Sequence, residues 1–457
     1  MVRWGSGAYV VIASLCVGCV ADVDILDGDP EQVGTSAAAF GTKNATGFAD
    51  TFFAAGSLDT SNPFFASLGT NGRSCVSCHQ QAEGWSITPA GVKARFDATQ
   101  GMDPIFRLND GAVSPNADVS TVAARQNAYK LLISRGLVRV GIGIPTTAEF
   151  VLDSVDDPYG FASAAELSLF RRPLPSTNLP FLATVMWDGR ETLSLSDMTG
   201  NLQHQAASAT LGHAQATGTT QSQMNAIVTL ETSLFTAQTM DTVAGPLNTN
   251  GAKGGPQNLA NTQFSIGIND SLSPGFNPNA MTLFNTWAPP NSPSNAADAQ
   301  RRFSIYRGQQ LFNNKAIAIT GVGGLNDALG APTIMGTCTT CHDTPNVGNH
   351  SKSLPINIGI SDASRRTADM PLYTLRNKTT NATIQTVDPG RALITGKWAD
   401  IGKFKGPILR GLQMRAPFFH DGSAASLQDV INFYNSRFSI GLTVQEQKDL
   451  LAFLQAL

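Results

Sequence analysis

The sequence predicts a mainly α chain in two halves, with long ordered loops between short helices. Two segments near its end, "SLQDVINFYN" and "TVQEQKDLLAFLQAL", carry helical spacing behind helix-start signals, and strand-like alternation is scarce elsewhere. The 43 Gly and 24 Pro among 457 residues punctuate the chain often enough to keep its elements short. A Cys-x-x-Cys-His pattern occurs once in each half, as Cys75-Val-Ser-Cys78-His79 and Cys338-Thr-Thr-Cys341-His342.

Residues 1–21, "MVRWGSGAYVVIASLCVGCVA", open with Arg3 and continue as an apolar stretch too short to span a bilayer, the layout of an export signal. "CVGC" is an imperfect lipoprotein-type cleavage site, with Cys16 standing where Leu is expected; cleavage after Ala21 is the alternative. The periplasm is therefore the expected location, with Cys19 a candidate lipid-bearing residue for an outer-membrane anchor. Residues 22–45 are small and polar without a period and read as a linker. Residues 46–290 are expected to form an N-terminal domain with insertions. Aromatics in "FADTFFAAG" and "NPFFASLG" lead into its motif, and turn-rich stretches such as "GPLNTNGAKGGPQN" interrupt the remainder. The Pro/Asn/Ser cluster at 289–297 marks the boundary, after which "RRFSIYRGQQLF" restarts helical spacing in a C-terminal domain, 291–457. In that domain Ser426 and Asp429 stand in a capping-box-like relation, as do Thr443 and Glu446. Leu427, Val430, Ile431 and Tyr434 then fall on one helical face.

Charged residues make up 14 %, against an ordinary ~25 %, and the net charge is −3. Nucleic acid is not an expected partner, because it demands a basic surface. Beyond the signal no apolar run is long enough to cross a membrane.

The mature chain spends its cysteines on the two motifs, so a disulfide framework fits poorly. A Cys-x-x-Cys-His run is the attachment signature of c-type haem: two thiols about one helical turn apart form thioethers along one porphyrin edge, and the adjoining histidine ligates iron from below. The structural alternative is a four-cysteine zinc site. Zinc ribbons keep their cysteine pairs ~15–20 residues apart, a spacing the two motifs far exceed, and zinc leaves the following histidine unexplained twice. Two covalently bound c-type haems are the expected cofactors, with His79 and His342 as iron ligands.

With "MWDGRETL" between the motifs and "DPGRALITG" and "FKGPILRGLQMRAPFFHDGSAASLQDVINFYN" after them, the chain resembles the bacterial di-haem cytochrome c peroxidase/MauG family from about residue 50 onward. The resemblance implies two cytochrome-c-like domains with a haem on either side of their interface. It implies hydrogen peroxide as substrate at the N-terminal haem and high-valent haem chemistry shared between the two haems. Trp187 matches the family tryptophan between the haems, a relay for electron hopping; ordinary core packing is its other reading. Counting on from His420 in "HDG", the distal-ligand position of the C-terminal haem is Tyr434, as in MauG, where the peroxidase branch has methionine. His420 itself is expected to hydrogen-bond near that haem. Electrons would come from a small redox protein, a c-type cytochrome or cupredoxin, or from aromatic residues of a protein substrate in a MauG-like enzyme. A non-catalytic di-haem electron carrier is the rival from another class.

The chain also departs from that pattern. No histidine lies between His79 and His204, so the near-motif second axial histidine of many peroxidases is missing. Where the family supplies a glutamate, "NLQHQAASATLGHAQ" offers His204 and His213 instead. His213 is the candidate acid–base group or sixth ligand, and Gln215 a candidate hydrogen-bond donor. Pro173 replaces the asparagine that helps hold the family's interdomain calcium, which argues against calcium here. Gly336 stands where MauG has a tryptophan facing its protein substrate, which argues against tryptophylquinone maturation by that route. His350 reads as a surface or haem-edge residue.

Overall fold

The computed structural model describes residues 41–290 and 294–457. The expected signal segment, with Cys16 and Cys19, and most of the linker lie outside the described residues. In chain order the strands are β1 (Thr42–Asn44), β2 (Gly47–Phe53), β3 (Val138–Ile142), β4 (Phe150–Asp156), β5 (Leu167–Arg171) and β6 (Leu234–Asp241). Then come β7 (Gly245–Pro246), β8 (Ile317–Thr320), β9 (Thr333–Gly336), β10 (Leu372–Asn377) and β11 (Thr383–Thr386). They pair as β1-β2-β6-β7, β11-β10-β4, β3-β5 and β8-β9. The linker expected to reach residue 45 thus gives way to strand by Thr42.

The mainly α expectation is overturned: among the described residues 31 % are helical and 16 % strand, with several sheets. The reason is burial on both faces. All five residues of β5 are buried, as are the first five of β6, so neither shows the period-two pattern of a half-solvated strand. β10 and β8 alternate cleanly, and they are only six and four residues long.

The helical expectations near the C-terminus hold. In the helix Leu427–Arg437 the Asp429 amide donates to Ser426 Oγ at 3.2 Å, and the Ser426 amide donates back to Asp429 Oδ2 at 2.9 Å. Thr443 and Glu446 make the same reciprocal pair at the start of Val444–Gln455. "RRFSIYRGQQLF" lies within the helix Ala297–Asn314. That helix packs on Val444–Gln455 so closely that a Cβ at Gly308 would run into the Asp449 carbonyl.

The expected boundary does not divide the cores. Leu247, Met281, Phe284 and Trp287 bury with Phe312, Ile431 and Phe453 in one cluster, so the stretch before residue 290 completes the core of the C-terminal half. Strand β4 of the first half pairs antiparallel with β10 of the second. Arg171 at the end of β5 is fully buried between two carboxylates, donating to Asp188 Oδ2 at 2.5 Å and to both Asp388 oxygens at 2.7 and 2.9 Å. These contacts hold the segment carrying Trp187 against the C-terminal half.

Candidate haem centres

Both motifs fold into the same local structure. Cys75–Ser77 and Cys338–Thr340 are single 3₁₀ turns. The amide before each turn donates to a hydroxyl three residues on, Ser74 to Ser77 Oγ at 3.1 Å and Thr337 to Thr340 Oγ1 at 2.9 Å. The histidine amide then donates to the first cysteine's carbonyl, at 3.0 Å in each case. Gly336 is part of this geometry, since a Cβ there would collide with Thr340 Oγ1.

The histidines are held alike as well. His79 Nδ1 lies 3.0 Å from the Trp85 carbonyl, and His342 Nδ1 lies 2.6 Å from the Gly348 carbonyl, six residues on in both cases. A backbone carbonyl accepts only from a protonated nitrogen, so Nδ1 carries the proton and Nε2 is the free base. This is the second-shell device that orients metal-binding imidazoles. Burial pushes both imidazoles down, His79 to about 4, which keeps them in the neutral form that binds iron. All four cysteines are free, and burial pushes the Cys75, Cys338 and Cys341 thiols up to about 12. Among the described residues no three His, Cys, Asp or Glu side chains converge on one point, so the two cysteine pairs do not share a zinc ion.

The second motif opens into a mainly apolar cleft. Cys338, Cys341 and His342 line it, and the helical stripe Leu427, Val430, Ile431 and Tyr434 forms part of its wall. The Tyr434 and His342 rings are 6.5 Å apart and edge-on. The Tyr434 hydroxyl makes no hydrogen bond among the described residues, and burial pushes the phenol up. Trp187 also lines the cleft, its Nε1 donating to the Arg172 carbonyl at 2.8 Å. A flat, mostly apolar macrocycle, two thiols, a tethered imidazole and an unpartnered phenol are matched in kind, so the residues fit a c-type haem here.

Ionisable groups surround the first motif instead. His213 caps the helix Met198–Gly212, and its Nδ1 is in short contact with Asp110, which Arg73 also binds. Its ring is about half exposed, yet close enough for its charge to act on His79. Gln215 is exposed, and φ is +55° there. His204 bonds Glu191 Oε2 at 2.5 Å.

His420 is fully buried, stacked on Phe404 at 4.3 Å and edge-on to Trp187 at 6.4 Å. Neither of its ring nitrogens has a hydrogen-bond partner, and it stands behind the cleft wall rather than in it. His350 is not at the surface: it is 6 % exposed and paired with Asp343 Oδ2 at 3.0 Å.

Two groups escaped the sequence reading. Glu231 is buried next to Cys75, with Oε2 unpartnered, and desolvation pushes its carboxyl up to about 7. The signal was present, because Met224, Ile227, Val228 and Glu231 follow helical spacing and a carboxylate ends an apolar stripe. Lys405 is also buried, against the second cleft, and nothing local in "FKGPIL" announces it.

Two Cys-x-x-Cys-His turns with Nε2 left free are the framework of a c-type haem protein. No family model matches the chain. Among curated proteins, it is 32 % identical to cytochrome-c peroxidase IdrP2 of Denitromonas iodatirespirans over 27 % of this chain and 36 % of that one. It is 27 % identical to cytochrome-c peroxidase IdrP1 of Pseudomonas sp. (strain SCT) over 36 % and 42 %. The chain thus spans well under half the length of these relatives. A crystal structure of a MauG-like protein associated with microbial copper homeostasis aligns over 86 % of this chain and 85 % of that one, at 16 % identity and a TM-score of 0.38. Likeness at that score fixes neither fold nor function. Its matched segments are similar to cytochrome-c peroxidases, at modest identity.

Proposed function

We propose that this chain is an exported di-haem c-type oxidoreductase that reduces hydrogen peroxide at the His79 centre and shares the oxidising equivalents with the His342 centre. The observation that carries the reading is the duplicated turn, with Nδ1 committed to a carbonyl six residues on and Nε2 left free. The cytochrome-c peroxidase relatives support the choice of peroxide. Haem at the first centre supplies O–O cleavage and the storage of two oxidising equivalents.

The protein's own part is proton handling and positioning. Reduction of one peroxide to two waters consumes two electrons and two protons. Asp110, itself held by Arg73, binds His213 through Nδ1, leaving Nε2 to take and return a proton. Trp187 lines the second cleft, and the Arg171 carboxylate cluster fixes the segment that carries it. Electrons would enter from a small redox protein. Tyr434 favours the MauG-like alternative, because a phenolate ligand supports iron in oxidation states that a thioether does not. In that case the electrons come from aromatic residues of a partner protein.

The test is the haem-loaded, full-length protein. The pyridine haemochrome should report two covalent haems per chain. Peroxide should be consumed at the expense of a reduced small c-type cytochrome or cupredoxin. With peroxide alone, a long-lived optical and EPR response that Tyr434→Phe abolishes selects the MauG-like branch. No response to peroxide leaves only an electron carrier and overturns the proposal. Fractionation of cells expressing the full chain, with and without Cys19→Ser, checks export and lipid anchoring.

A further inference from the structure

Three basic side chains line the second cleft among mainly apolar neighbours. Lys405, Arg172 and Arg415 all line it. Lys405 is 8 % and Arg172 4 % exposed. Their side chains are satisfied only by carbonyls: Lys405 Nζ donates to Thr184 O at 3.2 Å, Arg172 to Arg135, Gly136, Ile87 and Arg415, and Arg415 to Gly411, Ile408 and Arg410. None forms an ion pair with a carboxylate of the described residues. Glu83, whose charge acts on Arg172 from further off, spends its oxygens on Thr88. Burial pushes the Lys405 ammonium down to about 7, and the charge of Arg415 adds to the effect on Lys405 and on Arg172.

Buried charges persist in proteins when they are paired, and several unpaired like charges in one apolar site are a heavy cost. The fold supplies carboxylates where it neutralises a cation internally, as at neighbouring Arg171. Among the described residues no Asp or Glu lines the cleft.

The backbones of two of them touch Trp187: the Arg172 carbonyl accepts its indole N–H, and the Lys405 amide donates to the Trp187 carbonyl at 2.9 Å. Cys338 and Cys341 line the same cleft as the three cations. Haem takes thioethers on one edge and carries two propionates on the opposite one, so a haem tethered at these cysteines brings two carboxylates into a cleft that holds the cations.

We infer that Lys405, Arg172 and Arg415 form the propionate clamp of the C-terminal haem. The inference rests on the di-haem reading and deepens it. Trp187 then borders the propionate edge, and Lys405 is a positioning residue held by the main chain of that same tryptophan.

The test uses full-length, haem-loaded protein and reads resonance Raman propionate bending bands and the two reduction potentials. Lys405→Met should shift one propionate band and lower one haem potential, because removing a nearby positive charge favours Fe(III). Lys405→Arg should restore both readings, and two haems per chain should be counted in each variant. Should Lys405→Met fail to load haem, Lys405→Gln decides the matter: it keeps a hydrogen-bond donor without the charge, and a clamp predicts a lowered potential there too, whereas an unchanged potential overturns it. Unchanged bands and potentials in a Lys405→Met protein that still holds two haems overturn the clamp while leaving the di-haem reading intact. A parent that binds no covalent haem overturns both.

Discussion

Around His79 the neighbours are ionisable and asymmetric: a His213–Asp110–Arg73 chain and a buried Glu231. Around His342 they are apolar helix faces, one phenol and three cations without a carboxylate partner among the described residues. The two turns nevertheless share their hydrogen-bonding logic, down to the carbonyl six residues past each histidine. On the proposed function this is a division of labour. The turn would attach haem and fix an imidazole tautomer, and the surroundings would set what each centre does: proton handling at the first, tuning or stabilising charge at the second.

The largest effect expected of this division is on peroxide turnover. His213→Ala should lower kcat/KM for peroxide by ~10²–10⁴-fold, the range for losing a positioned acid–base group. Tyr434→Phe should leave the initial reaction with peroxide within a few-fold of the parent, since it belongs to the other centre. Stopped-flow mixing of peroxide with each variant measures both rates. Equal losses in the two variants would break the comparison.

Glu231 sharpens it through pH. Its carboxyl is raised by burial from an ordinary 4.5 to about 7, and a hydrogen bond from Ser176 opposes part of that rise. Between those values the folded protein keeps a proton that the unfolded chain has released. The native state's advantage is thus complete below pH 4.5 and is lost as pH rises through about 7. Glu231→Gln removes that loss, so the variant should exceed the parent in unfolding free energy by about 2–3 kcal/mol at pH 8 and match it near pH 4.5. Urea denaturation at the two pH values gives the difference. A constant offset across the range would show that Glu231 ionises normally.

Much of the chemistry was legible because it is local. The Cys-x-x-Cys-His turns, the capping pairs at Ser426/Asp429 and Thr443/Glu446 and the Leu427–Tyr434 stripe depend on residues within a few positions of one another, and they stand in the structure as read. The sheets were not legible. β5 and β6 are buried on both faces, which erases alternation, and β4 finds its partner β10 more than 200 residues away. Lys405 and His350 were missed or misplaced for a related reason. A polar residue's burial depends on what the rest of the chain packs over it, and nothing in "FKGPIL" or "VGNHS" carries that information.

The smallest predicted effect tests the sameness of the two turns rather than their difference. Ser77 and Thr340 each accept one main-chain N–H and so close their turn with a single bond. A buried bond of this kind contributes ~1 kcal/mol net. Ser77→Ala and Thr340→Ala should therefore each lower stability by about 1 kcal/mol, within a few tenths of one another, and the double variant should show the sum because the turns share no partner. Both single variants should retain two haems per chain, as the cysteines and histidines remain in place. Denaturant unfolding together with haem counting checks this. A much larger cost at Thr340 would mean that its hydroxyl also supports the packing of Gly336, where a side chain has no room. The two turns would then be alike in bonding and unlike in how firmly their surroundings hold them.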